Sequence, residues 1–275
     1  MDLVGTGSEV IPALYKGLLD DAAVFPPGLM PLADAVPAHA RHLAAPYADI
    51  VGPLVLAAPA LADLGDVDVE LSVTLPGGPA QLPEVLERAG KRLRGLEIAV
   101  PGEMSPREFF AALVPADVPV FVEVPRDERR PEVIALCAEH GHQAKFRTGG
   151  VKAELYPDEA ELAAAVRAVV DAGVPFKATA GLHHAIRNTD PATGFEQHGY
   201  LNLMLATAAA LDGADEARLA GILSERDGAA IARDMSTMDS PVRARFRSFG
   251  TCSITEPLTE LVALGLLPGL EGVTA

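Results

Sequence analysis

Two rhythms of apolar residues take turns along the chain. Short continuous apolar runs, most of them cut off by Pro or Gly, alternate with longer stretches in which apolar residues recur at helical spacing. The short runs are Ala22–Phe25, stopped by Pro26-Pro27-Gly28; Val51–Ala57; Val67–Leu75, stopped by Pro76-Gly77-Gly78; Gly95–Val100, stopped by Pro101-Gly102; Val118–Val124; Gln143–Arg147; Val174–Ala180; and Arg247–Cys252. Helical spacing covers Glu9–Leu19, Leu32–Leu43, Gln81–Ala89, Pro131–His140, Pro157–Ala172 and Pro257–Leu266. A further helix should start at Ser105, because Pro106 suits the first helical position and Glu108 completes a capping box with the serine.

Eight strands interleaved with helices are the signature of parallel strands joined by crossovers. The pattern therefore predicts an α/β protein, a (β/α)8 TIM barrel, with an open doubly wound sheet as the competing topology. A length of 275 residues matches the roughly 250 typical of one such barrel. No linker-like tract divides the chain, so residues 1–275 read as one domain. A helical insertion over 182–245 separates the seventh and eighth strands, with segments at His198–Leu211, Asp215–Leu223 and Gly228–Asp234.

Charge changes the picture by exclusion. A formal net charge of -16 argues against nucleic-acid binding, which relies on basic residues neutralising phosphates. Cys137 and Cys252 stand far apart without CxxC spacing, so no metal site or disulfide framework is expected, and no cofactor is implied. No run of eighteen apolar residues and no basic leader occurs, so a cytoplasmic location without membrane contact is expected, with a homodimer a reasonable guess.

The anomaly is charge inside strands. Lys145 and Lys177 sit at matching points of the sixth and seventh runs, and burying an unpaired ammonium is costly. Barrel enzymes draw their catalytic groups from the carboxyl ends of strands. Those ends supply Glu97, Glu123, Lys145 with Arg147, and Lys177 with Thr179, each of the last two pairs sharing a face by strand alternation. A buried ion-pair network is the bland explanation. Glycines add to the picture: Thr148-Gly149-Gly150, Ala180-Gly181 and Phe249-Gly250-Thr251-Cys252-Ser253 end three successive strands, where free backbone amides could cradle an anion.

These three stretches resemble the last strands of the deoxyribose-phosphate aldolase family, class I aldolases built on a (β/α)8 barrel. That family carries Lys-x-Ser-Thr-Gly, Lys-Ala-x-Gly-Gly and Phe-Gly-Ala-Ser-Ser. This chain has Lys145-Phe146-Arg147-Thr148-Gly149, Lys177-Ala178-Thr179-Ala180-Gly181 and Phe249-Gly250-Thr251-Cys252-Ser253. The resemblance covers about half of the barrel and implies Lys145 as a Schiff-base nucleophile and Lys177 as the neighbour that lowers its pKa. Glu97 or Glu123 would then shuttle protons, and Gly149, Gly181, Gly250 and Ser253 would hold a substrate phosphate. Arg147 replaces a small serine, which points to a second carboxylate or phosphate or to an Arg–Glu pair that blocks the pocket. Ala180 replaces a glycine and narrows the cradle.

The insertion holds the remaining candidates: His183, His184, His198 and Asn202, as acid/base or substrate-binding groups. The expected function is an aldolase-like lyase acting through a lysine Schiff base on a small anionic, phosphorylated carbonyl or sugar-like substrate. Two alternatives stay open. One is a metal-dependent lyase or isomerase with His183 or His184, His198 and Glu97 or Glu123 as ligands; the other is a non-catalytic anion-binding barrel, which requires both lysines to be fully paired.

Overall fold

The computed structural model describes residues 11–269. Eight parallel strands close into a barrel in the order β1 (Leu19–Asp21), β2 (Val51–Ala57), β3 (Leu71–Leu75), β4 (Leu93–Ala99), β5 (Val120–Glu123), β6 (Gln143–Arg147), β7 (Phe176–Thr179) and β10 (Phe246–Thr251), which returns to β1. Around it run α1 (Leu32–Leu43), α2 (Leu82–Ala89), α3 (Pro106–Ala112), α4 (Arg130–His140), α5 (Glu159–Asp171) and α9 (Thr255–Ala263). Between β2 and β3 the crossover is a short 3-10 turn, Ala58–Ala62. Among the described residues, no helix is long and apolar enough to cross a membrane.

The segment from Ala180 to Arg245 opens with a two-stranded antiparallel hairpin, β8 (Asn188–Thr189) and β9 (Glu196–Gln197). Three helices follow: α6 (Tyr200–Leu211), α7 (Glu216–Ser224) and α8 (Gly228–Ser236). Helix α6 is buried along most of its length, and its Tyr200 ring stacks on Phe249 of β10 at 4.8 Å. It therefore takes the place of a barrel helix, and the segment belongs to the one hydrophobic core.

Alternation within the strands separates two layers. On the outer face, Phe146, Phe176 and Phe246 form a chain of ring contacts at 5.4 and 5.3 Å, beneath the helices. The residues between them, Lys145 and Lys177, turn into the barrel. Caps behave as their chemistry demands: Ser105 and Glu108 complete the capping box of α3, and Asp158 caps α5 by accepting from the Glu161 amide.

One expected strand is misplaced. The first strand is Leu19–Asp21, while Ala22–Phe25 forms the turn that leaves it. Of the helix expected over Glu9–Leu19, the first two residues lie outside the described residues, and residues 11–18 form turns that lead into β1. The alanine-rich composition of 22–25 suits either state, and the pairing of β1 with β2 and β10 decides it.

Candidate active site

The register of parallel pairing puts the charged residues of successive strands side by side. Lys145 is opposite Lys177 across β6 and β7, and opposite Glu123 across β5 and β6. Glu97 on β4 and Asp20 on β1 reach the same interior. Glu97 joins the two lysines: its Oε2 is 2.9 Å from Lys145 Nζ, and its Oε1 accepts from Lys177 Nζ at 2.6 Å and from Ser72 Oγ at 2.8 Å. Lys177 also pairs with Asp20 Oδ2 at 2.6 Å, and Ser248 Oγ donates to the same oxygen at 2.7 Å. Lys145 has a second carboxylate, Glu123 Oε2 at 3.1 Å, and Arg147 Nε donates to Glu123 Oε1 at 3.2 Å.

Three cations thus face three carboxylates, a balance that lets all six be charged inside a barrel. Burial works against the charge of Glu97, but the two ammonium groups outweigh it and hold its carboxyl far below the usual carboxylate range. Glu123 is also held low, by Lys145 and Arg147 against its burial. Burial pushes Asp20 upward in spite of Lys177. For the lysines burial favours the neutral amine, yet Glu97 with Glu123 keeps Lys145 above the ordinary amine range, and Asp20 with Glu97 does the same for Lys177. The expected depression of the Lys145 pKa is therefore corrected. Lys177 does push it down, but two carboxylates in direct contact push harder.

The two lysines differ in access. Lys145, Glu97, Glu123 and Arg147 line a cavity of about 780 Å³ at the carboxyl ends of the strands. Lys177 is sealed beneath it, 5.2 Å above the ring centre of Phe121. Glu97 is enclosed by its three donors, whereas the Glu123 side chain retains 23% of its exposure. Of the two proton-shuttling candidates, Glu123 is the one with room to change partners.

Thr179, Gly181, His183 and Gly250 also line the cavity. Thr148, Gly149, Thr251, Ser253, His184, His198 and Asn202 do not, and each has a structural task. Thr148 is fully buried and its hydroxyl donates to the carbonyl oxygens of Thr179 and Ala180, tying β6 to β7. At Gly149 a side chain would meet Tyr156 at 2.6 Å and the Gly181 Cα at 2.8 Å, so this glycine is there for the close approach of two strand ends. Thr251 Oγ1 donates to the Ser253 carbonyl, and Ser253 Oγ accepts from the Glu256 amide. Of the four glycine and serine positions expected to form a phosphate cradle, Gly181 and Gly250 line the cavity, whereas Gly149 and Ser253 are committed to packing and capping.

The histidine candidates disperse. His184 Nδ1 is 2.6 Å from Glu260 Oε1 on α9, which raises its pKa. His198 donates from Nε2 to the Pro157 carbonyl at 2.8 Å and accepts at Nδ1 from Arg187; burial pushes it down to about 4. Asn202 accepts from the Arg187 amide and donates to the Ile222 and Glu225 carbonyls, locking the insertion internally. Only His183 reaches the cavity, with Cys252 Sγ 3.5 Å from its Nδ1. The ligand set of the metal-dependent alternative does not converge, and among the described residues no group of three His, Cys, Asp or Glu is placed to hold an ion.

Three further residues build the site. Asp20 was hidden by the misplaced first strand, although Leu18-Leu19-Asp20-Asp21 puts carboxylates at the end of an apolar run just as the lysines are placed. Tyr156, from the loop after β6, and Phe195, from the β8–β9 hairpin, meet at 5.5 Å between ring centres and close one wall. Neither has a local signal, because only the folded loops bring them to the mouth.

No family model matches the chain, and no curated protein does. Among solved structures the chain is similar to an archaeal fructose-1,6-bisphosphate aldolase whose catalytic lysine is covalently bound to the carbinolamine intermediate of its substrate. Identity is 16%, the match covers 78% of this chain and 86% of that one, and the TM-score is 0.38. A likeness of that size carries no argument about activity. The closed parallel barrel is established by the strand pairing itself.

Proposed function

We propose that this protein is an aldolase-type lyase that condenses Lys145 with the carbonyl of a small anionic substrate and makes or breaks the adjacent carbon–carbon bond. The observation that carries the reading is the placement of Lys145: a buried amine at the floor of a cavity, held by two carboxylates, with a second ammonium behind one of them. Perturbed, mutually coupled charges in a cleft are what barrel enzymes assemble at this end of the strands.

The steps assign themselves by access. Glu123 takes a proton from the Lys145 ammonium, and the neutral amine attacks the carbonyl carbon. The carbonyl oxygen gains two protons in succession and leaves as water, giving the iminium. That cation draws in the electron pair of the bond breaking beside it and becomes an enamine, while the departing fragment gives its hydroxyl proton to Glu123 and leaves as a carbonyl compound. Protonation of the enamine carbon and return of water free Lys145. Glu97 and Lys177 keep the amine oriented and set the charge around it.

Borohydride reduction in the presence of carbonyl compounds, with mass mapping of the modified residue, tests this directly. A reduced adduct on Lys145 is expected, and Lys145→Gln should abolish it. Absence of an adduct with a carbonyl compound that demonstrably binds would refute the reading. The non-catalytic alternative keeps one observation in its favour, since both lysines are paired as it requires. It expects binding without an adduct, so the same experiment separates the two.

A further inference from the structure

The cavity's walls narrow the substrate class, on the assumption of the Schiff-base reading above. Apart from Lys145, Arg147 is the sole lysine or arginine lining it among the described residues. Its ε-nitrogen bonds Glu123, and its side chain is 39% exposed, so the remaining face of the guanidinium is open to a ligand. Arg147 is two residues beyond Lys145 on one strand, and one carboxylate, that of Glu123, touches both cations at 3.1 and 3.2 Å. An anion held by Arg147 therefore lies on the same side of the cavity as a carbonyl attacked by Lys145. A phosphate at the far end of a sugar chain would have to sit elsewhere, where no further lysine or arginine among the described residues lines the cavity. Much of that wall is apolar, with Phe25, Val55, Leu75, Leu155 and Phe195, and its polar groups, Thr74, Thr179, His183, Thr193 and Gln197, include no permanent cation. The hairpin adds an acid, Asp190, which also disfavours a distant phosphate.

We infer that the substrate is a 2-oxo acid with an apolar body, its carboxylate on the Arg147 fork, its carbonyl at Lys145 and its hydrocarbon portion against the aromatic and aliphatic wall. A planar guanidinium matches a carboxylate through paired N–H donors. The arrangement also supplies the trigger that the charged resting state of Lys145 calls for. Arg147 is one of the two cations that hold the Glu123 proton affinity down. A substrate carboxylate that takes over Arg147 removes that support and brings a like charge beside Glu123, which favours transfer of the Lys145 proton to it.

The test uses the full chain and two probes of one shape. Phenylpyruvate should give a borohydride adduct on Lys145, and phenyllactate, which cannot form an imine, should bind by calorimetry. Arg147→Gln should weaken both at least tenfold, and Arg147→Lys should recover little, because it restores charge without the fork. If no carbonyl compound is trapped but phenyllactate binds in an Arg147-dependent way, the Schiff-base reading fails and the carboxylate site stands. Preferential trapping of dihydroxyacetone phosphate over phenylpyruvate overturns the inference and leaves the Schiff-base reading intact. Phenyllactate that does not bind, or binds Arg147→Gln as well as the natural protein, also overturns it.

Discussion

The strand interior and the loop after β7 were equally rich in unusual residues, yet they turned out differently. Inside the barrel, Lys145, Lys177, Glu97 and Glu123 form one connected network that opens on the cavity. In the loop and the insertion, His184, His198 and Asn202 are each satisfied by partners outside the cavity: Glu260 on α9, the Pro157 carbonyl, and backbone groups of the insertion. The difference lies in cost. A charge in a buried strand is expensive unless several others are arranged around it, so its presence demands a partner set. A histidine or an asparagine in a loop is satisfied by a single carbonyl, amide or carboxylate at little cost, so its presence demands no arranged set of partners.

That contrast can be broken by substitution. The largest effect is expected at Glu97, whose removal leaves two ammonium groups short of their shared partner. Glu97→Gln should cost about 3–5 kcal/mol in urea unfolding at neutral pH, the scale for opening a buried ion pair. Its sign with pH follows from the depressed carboxyl of Glu97. The contribution is whole above the ordinary carboxylate range and is lost as pH falls through the depressed folded value, so the gap between Glu97→Gln and the natural protein should narrow only in strong acid. A gap that closes already near neutrality would mean that the network is not charged as described.

Asn202→Ala is the counterpart in the insertion. It leaves one backbone amide and two carbonyls without a partner and should destabilise by about 2–3 kcal/mol while leaving the Lys145 adduct yield unchanged. A lost adduct with a folded insertion would restore Asn202 to the site. The smallest effect is at Ala180, which lines the cavity with φ +63°, the left-handed conformation a glycine adopts freely. Ala180→Gly relieves that strain and should stabilise by roughly 1 kcal/mol or less, read from the urea midpoint. A loss instead would show that the alanine methyl packs better than its backbone suffers.

The apolar rhythm of the chain was enough for seven of the eight strands, most of their helices and the α3 capping box, because those depend on local propensity and periodicity. Leu32–Leu43 is helical as its spacing predicts, and the β6, β7 and β10 stretches lie within one or two residues of their expected limits. The costly charges on β4 to β7 were legible for the same reason. Only the closed barrel decided what joins them: Asp20 comes from β1, reached across β10, and could be matched to Lys177 only once the sheet had closed on itself. Closure likewise decided which lysine meets solvent, since strand alternation turns both inward and depth alone separates Lys145 from Lys177. Sequence fixes which groups need partners; the packing of distant segments determines who those partners are and where space is left for a ligand.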